Sequence, residues 1–291
     1  MGVCGSVVGC ALYHGSGGYP RQPPHRHLQP RRSTEDGVKN IVEMGGLINE
    51  IHPFCLKTKR LFAYFKKKRY LCSEIGLIVT SIDKITLYRM THIENIPHIL
   101  QYGVVHGSSP NSNANYVSIG DTSLIDYRSS KAVLTIDKER INLGDFIPFY
   151  FGIRMPMLYV IQHGGNFVPR AQHADEIIYV GVSLLAILNG NFDFYFSNGH
   201  ATDSLTTFYN KQHIEQLPSI IDWEAVKTHQ WAGDGIGTDV KRRKQAEFLI
   251  KQDIPFSLIR GFVCYSEKSK AKLMSQGVRE DLIKVFPCAY Y

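Results

Sequence analysis

The chain has 291 residues, 33 Lys and Arg against 26 Asp and Glu, and 44% hydrophobic side chains, which suits one large globular domain or two ordinary ones. That composition excludes collagen-like, coiled-coil and wholly disordered chains, and no stretch approaches the roughly 18 apolar residues of a membrane span. The formal charge of +7 is local: residues 1–84 hold 13 basic and 6 acidic side chains while residues 85–291 hold 20 of each, so it is no evidence that the larger part binds nucleic acid.

Residues 1–36 are rich in Gly, Pro, His and Arg, centred on PRQPPHRHLQPRR (20–32). They read as disordered, because they bury too little apolar surface to offset the entropy of ordering. MGVCGS matches the N-myristoylation pattern through Gly2 and Ser6, with Cys4 available for palmitate. VVGC (7–10) loosely resembles a lipoprotein cleavage site, without the positive charge or length of a secretory signal. Both patterns are short enough to arise by chance. Residues 37–85 form a basic extension in which KTKRLFAYFKKKRYL (57–71) is either an amphipathic helix for anionic lipid or DNA or, more plainly, a solvated helix. Four of the six cysteines (Cys4, Cys10, Cys55 and Cys72) fall in these two segments, and no C-x-x-C pair exists to suggest a zinc or redox site. Sparse, unpatterned cysteine fits a reducing cytoplasm.

From residue 86 to 291 a folded domain is predicted. ITLYRM opens as a strand, and THIENIPHILQYG (91–103) follows as a short helix with Ile93, Ile96, Ile99 and Leu100 at helical spacing and Gly103 as its stop. SLIDYRSSKAV (123–133) reads as a polar loop entering a strand. FIPFYFG (146–152), PMLYVIQHG (156–164), EIIYVGVSLLAIL (176–188), FDFYFSNG (192–199), EFLIKQDI (247–254) and GFVCYS (261–266) are β-branched and aromatic runs bounded by turn residues, and read as strands. No regular βαβ alternation appears, so the fold class is α+β, a twisted sheet pair with peripheral helices.

Dinucleotide, P-loop, hydrolase-elbow and zinc-protease motifs are all missing, and GDGIG (233–237) reads as a surface loop. Three clusters remain. In YRMTHI (88–93), Arg89 and His92 stand at a strand-to-helix junction, where backbone N–H groups and a guanidinium suit a pyrophosphate or amide; alternatively Thr91 caps the helix and His92 belongs to the core. In the second, Arg128 follows Tyr127 beside two serines. In TDVKRRKQAEFLI (238–250), Glu247 begins an apolar strand after four cations, as a surface ion pair or as a catalytic carboxylate on a rigid element.

The order of these clusters is distinctive. LYRMTHIENIPHILQYG (87–103), LGDFIPFYFGIRMPMLY (143–159), FYFSNGHAT (194–202) and KRRKQAEFLI (241–250) together resemble the DarT family of DNA ADP-ribosyltransferase toxins. The resemblance implies an ADP-ribosyltransferase-like fold: two small packed β-sheets, peripheral helices, and a cleft between them for NAD as co-substrate, with no metal. It implies NAD contacts from Arg89, Met90, Thr91, His92 and Arg128, although many relatives carry His at the place of Arg89. It assigns catalysis to Glu247 and Arg128, and substrate recognition to the loop WAGDGIGTDVKRRKQ (231–245). The DNA contacts would come from Arg154, Met157, Arg170, Arg242 and Arg243, with aromatic faces available for stacking. The acceptor would be a thymine in single-stranded DNA, where the reactive edge is free of pairing. A toxin of this kind implies a separately encoded macrodomain antitoxin, a cytoplasmic site of action and no membrane span. Nothing in the pattern matches residues 1–85. An ADP-ribosyltransferase acting on guanine, RNA or protein, or a non-catalytic nucleic-acid-binding module using the basic N-terminal segment, are the alternatives the sequence leaves open.

Overall fold

The structure, a computed structural model, describes residues 81–165, 167–168 and 170–291. The readings placed on residues 1–80, including the disordered segment, the lipidation pattern and the 57–71 helix, lie outside the described residues. In chain order the elements are β1 (Thr86–His92), α1 (Ile96–Tyr102), α2 (Thr122–Ser130), β2 (Ala132–Leu134), β3 (Arg140–Asn142), β4 (Ile147–Tyr150), α3 (Pro156–His163), β5 (Ile177–Ser183) and α4 (Leu184–Leu188). They continue with β6 (Phe194–Ser197), β7 (Phe208–Tyr209), α5 (Leu217–Ile220), α6 (Trp223–Lys227), α7 (Val240–Lys244), β8 (Glu247–Ile250), β9 (Ile259–Cys264), α8 (Glu267–Ser275) and β10 (Ile283–Val285).

Eight strands line up in the order β10-β9-β5-β1-β4-β8-β6-β7, and β2 and β3 form a separate hairpin. All pairs in the long sheet are antiparallel except β9 with β10. The ladder is uneven. β1 pairs with β5 through every residue from Thr86 to His92, but touches β4 at one pair only, Tyr88 with Tyr150. The α+β class holds, but in place of two small packed sheets there is one eight-stranded sheet, made of two four-stranded halves joined at a sparse seam between β1 and β4, beside the small β2–β3 hairpin. Arg89 crosses that seam to donate from Nη1 to the Pro148 carbonyl at 3.0 Å.

The strands form where β-branched and aromatic residues crowd together. β5 is buried from Ile177 through Val182 because β1 and β9 flank it and both its faces are packed. Leu87, Phe149, Val180, Phe248 and Phe262 form the main core on one face together with Ile96 and Ile99 of α1. On the other face Tyr179, Ile177, Leu158 and Ile161 pack with Tyr290. Helix α1 ends where expected: Gly103 has φ +80°, and a Cβ there would lie 2.0 Å from the Ile254 carbonyl oxygen.

Three elements differ from the sequence reading. PMLYVIQH is helix α3 rather than a strand; Pro156 opens it, Gly164 with φ +73° stops it, and Leu158 and Ile161 share its buried face. EIIYVGVSLLAIL changes from strand to helix at Ser183, whose hydroxyl accepts the Ala186 N–H at 3.4 Å. The 123–133 segment is mostly helix α2, capped by Asp121, which accepts the Leu124 N–H at 3.2 Å.

Candidate active site

Glu247 is the first residue of β8, opposite Tyr150 of β4, so its side chain rises from the sheet close to the seam. Pleat alternation places it on the face opposite the buried Phe248 and Ile250. The preceding backbone is fixed: the Glu247 N–H donates to Ser197 Oγ at 3.2 Å, and that hydroxyl donates to the Gly199 carbonyl at 2.7 Å. The turn after β6 thus wraps the carboxylate, and the Ala201 N–H donates to Oε1 at 2.9 Å.

Arg128, near the C-terminal end of α2, completes the arrangement. Its Nη1 donates to Glu247 Oε1 at 3.2 Å and stands 2.9 Å from Oε2. Glu247 is 1% exposed and Arg128 16%, so this is a desolvated pair and not a surface bridge. Two of its polar atoms are unfinished. Arg128 Nη2 has no partner among the described residues, and Glu247 Oε2, although close to Nη1, lies off its hydrogen-bonding direction. Buried polar atoms in folded proteins are almost always bonded, so the pair keeps hydrogen-bonding capacity on both partners that the described residues do not use.

The surroundings respond to this charge. Burial first, and the Glu247 carboxylate second, push the Tyr150 phenol far above its usual range, which keeps it neutral. His200 precedes Ala201; burial lowers its imidazole below the usual histidine range, an effect partly opposed by Glu247 and reinforced by Arg128. His200 also lines an open cleft of about 580 Å³, together with Leu124, Met157, Trp231, Lys241 and Gln245. The pair and the neighbouring cleft draw on α2, the β6–β7 turn, α3, the 231–245 loop and β8. Neither this cleft nor a second groove of about 490 Å³, against the β2–β3 hairpin, is lined by Glu247 or Arg128; the buried pair lies behind His200.

The family model described as "ssDNA thymidine ADP-ribosyltransferase, DarT" matches residues 88–291. The chain belongs to the DarT family. Among DarT relatives, a DNA ADP-ribosyl transferase of Escherichia coli O127:H6 is 31% identical over 191 residues, 66% of this chain and 85% of that protein. A fusion of DNA ADP-ribosyl transferase and DNA ADP-ribosyl glycohydrolase from Thermosipho africanus is 26% identical over 202 residues, 69% of this chain and 47% of the fusion. The structure of Thermus sp. 2.9 DarT in complex with ADP-ribosylated ssDNA matches with a TM-score of 0.61 at 25% identity, over 71% of this chain and 96% of that one. The same protein in complex with NAD+ matches with a TM-score of 0.56.

The other residues expected at a DarT site fall into two groups. Arg89, Met90, Thr91 and His92 are all on β1. Thr91 and His92 are buried; the Thr91 hydroxyl takes a hydrogen bond from Asn95 Nδ2 at 3.0 Å, and His92 Nδ1 accepts the Glu94 N–H at 3.2 Å. Met90 leans on the Tyr179 cluster, and Arg89 meets the pair through their common neighbour Tyr150, whose phenol feels the charges of Arg89, Arg128 and Glu247. Of the five side chains assigned to DNA, Met157 and Arg242 line the cleft. Arg242 is bound to Asp239 through Nε and Nη2 at 2.6 and 2.8 Å, and to Asn198 and Thr206 through Nη1. Arg243 pairs with Asp222 and Asp239, Arg170 with Glu176, and the Arg154 guanidinium stacks on the Tyr291 ring at 4.4 Å. Each of these arginines has a partner within the protein, and Arg170 remains 72% exposed. The sequence reading missed Ser197, His200 and Ala201 as site residues, although all three stand in the FYFSNGHAT motif. Among the described residues no cluster of three His, Cys, Asp or Glu is placed to hold a metal, and no helix is long and apolar enough to cross a membrane.

Proposed function

We propose that this DarT-family chain transfers ADP-ribose from NAD to a thymine base in single-stranded DNA, with nicotinamide leaving and with Glu247 and Arg128 as the catalytic pair. The observation that carries the assignment is the buried Glu247–Arg128 pair, with one unfinished polar atom on each partner. A ribose hydroxyl reaching the pair would donate to Glu247 Oε2 and accept from Arg128 Nη2. Glu247, held by Ala201 and Arg128, would keep its negative charge in place without reorganising as positive charge develops on the ribose. Arg128 would orient the ribose and stabilise the anionic acceptor; a guanidinium stays protonated and does not serve as the base. The β1 residues Arg89 to His92 would hold the remainder of NAD across the seam from Glu247.

We place the catalytic domain at residues 86–291, leaving 1–36 and 37–85 as an extension outside the chemistry. The fusion in Thermosipho africanus, which joins a transferase to a glycohydrolase, supports a partner that removes the modification; here that partner would be a macrodomain antitoxin encoded separately. Action on cellular DNA would take place in the cytoplasm. Incubation with NAD and a panel of DNA, RNA and protein acceptors tests the reading. Nicotinamide release and a heavier thymine-containing single strand are expected, with duplex DNA and thymine-free strands unmodified. Labelling of guanine, RNA or protein would reassign the acceptor, and intact NAD throughout would leave only a binding module.

A further inference from the structure

We propose that His200 is the general base of the transfer: its Nε2 takes the proton from the thymine ring nitrogen as that nitrogen attacks the ribose. The inference rests on the transferase reading above. An amide-like ring nitrogen must lose its proton to become a nucleophile, and neither member of the buried pair suits the task. Arg128 has no lone pair to offer, and Glu247 is held by Ala201 and Arg128.

His200 stands beside the pair, close enough for the charges of Glu247 and Arg128 to act on its ring. It adjoins Ala201, the N–H donor to Glu247, and its side chain lines the cleft beside Met157 and Trp231. Its backbone is pinned on both sides: the N–H donates to the Arg242 carbonyl at 3.0 Å, and its carbonyl accepts from the Asp203 N–H at 3.0 Å and the Thr206 hydroxyl at 2.8 Å. The ring is oriented as well, with Nδ1 2.8 Å from Thr202 Oγ1. When Nδ1–H donates to that hydroxyl, Nε2 carries the lone pair, and it makes no hydrogen bond to the described residues. A base held by an orienting third group at the mouth of a cleft is the arrangement proton transfer requires.

The charges around the ring settle its form. Glu247 of β8 and Asp203 of its own loop favour imidazolium, while Arg128 of α2 and Lys241 of α7 oppose it. Asp121, Asp239 and Arg242 also line the cleft. Burial outweighs the attractions and keeps the ring neutral, the state that accepts a proton. In the step itself, Nε2 bonds the ring-nitrogen proton, and the freed electron pair forms the new bond to the ribose anomeric carbon. The bond from that carbon to nicotinamide breaks, its electrons return to the pyridinium nitrogen, and neutral nicotinamide leaves. His200, now imidazolium, passes its proton to water.

The test compares His200→Gln and His200→Asn with wild type on single strands carrying one thymine, one uracil or one 5-fluorouracil, at matched NAD affinity. The fluorine makes the ring nitrogen more acidic, so the base arrives largely deprotonated at mildly alkaline pH, and uracil controls for the missing methyl group. On thymine and uracil both variants should fall by about 10²-fold or more, the usual worth of a general base. On 5-fluorouracil the deficit should shrink by at least about tenfold, and it should shrink further as pH rises. An equal deficit on all three strands, flat with pH, would make His200 a merely structural residue and overturn the assignment. So would variants as fast as wild type on thymine. A wild-type enzyme inactive on every strand would instead overturn the transferase reading beneath it.

Discussion

Removing one charge from a buried pair has two separable effects, and Glu247→Gln reads both. The amide oxygen still accepts the Ala201 N–H, but the amide nitrogen faces Arg128 and leaves that cation without its counter-charge. Transfer should fall by on the order of 10²–10³, as for other preorganised electrostatic contacts, while NAD affinity changes much less. Thermal unfolding should show a loss of about 1–3 kcal/mol, because a buried hydrogen-bonded group has lost its partner. Glu280→Gln is the control: Glu280 is 63% exposed, pairs among the described residues with Lys270 alone, and should alter neither rate nor NAD binding. A Glu247→Gln enzyme as fast as wild type would make the pair architectural. Of this site, Glu247 was legible as a carboxylate opening an apolar strand, but its burial was not. Four cations precede it in sequence and suggest a surface pair, whereas its actual partner, Arg128, lies 119 residues away and meets it only through the tertiary fold.

Helix α7, which delivers the chain into β8, carries an unusual buried cation. Lys244 is 1% exposed and donates to the Val226 and Thr228 carbonyls at 3.0 and 2.8 Å, tying α7 to the end of α6. Burial, with a smaller contribution from Arg154, brings its ammonium down to about 8. Between that value and the usual lysine range the unfolded chain binds more protons than the native one, so stability should rise with pH across that window. Lys244→Met keeps the length of the side chain and removes the titration. Urea midpoints from pH 7 to 10 should therefore climb for wild type relative to the variant, and parallel curves would refute the linkage. The buried tyrosines are common to both chains and cancel in the difference. At this scale the sequence is legible where periodicity is clean, as in β1, α1, β6, β8 and β9. It misleads in α3, where Met157, Leu158, Tyr159, Val160 and Ile161 give an unbroken apolar run that suits a strand, and the Pro156 start and Gly164 stop are the discriminating signals. Helix α2 has no buried residue to impose a helical stripe, so Asp121 was its one clear sequence mark.

For the molecule as a whole, the DarT match begins at Tyr88, and β1 begins at Thr86. A chain starting at Asp83 is expected to fold and to retain transfer at low salt. Complete loss of activity in a folded product would bring the 37–85 extension into the site, whereas weaker DNA affinity with a shallower salt dependence would make it a phosphate anchor. The seam between β1 and β4 has a separate consequence for how the fold breathes. Seven β1 residues pair with β5, whereas one pairs with β4, so opening along the seam breaks few ladder bonds and leaves each half-sheet intact. Hydrogen exchange should reveal two islands of slowly exchanging amides, one centred on β5 and one on β8, each with its own opening free energy. A dinucleotide gripping both sides would fuse them into one cooperative unit, so NAD should slow exchange well beyond the residues it touches.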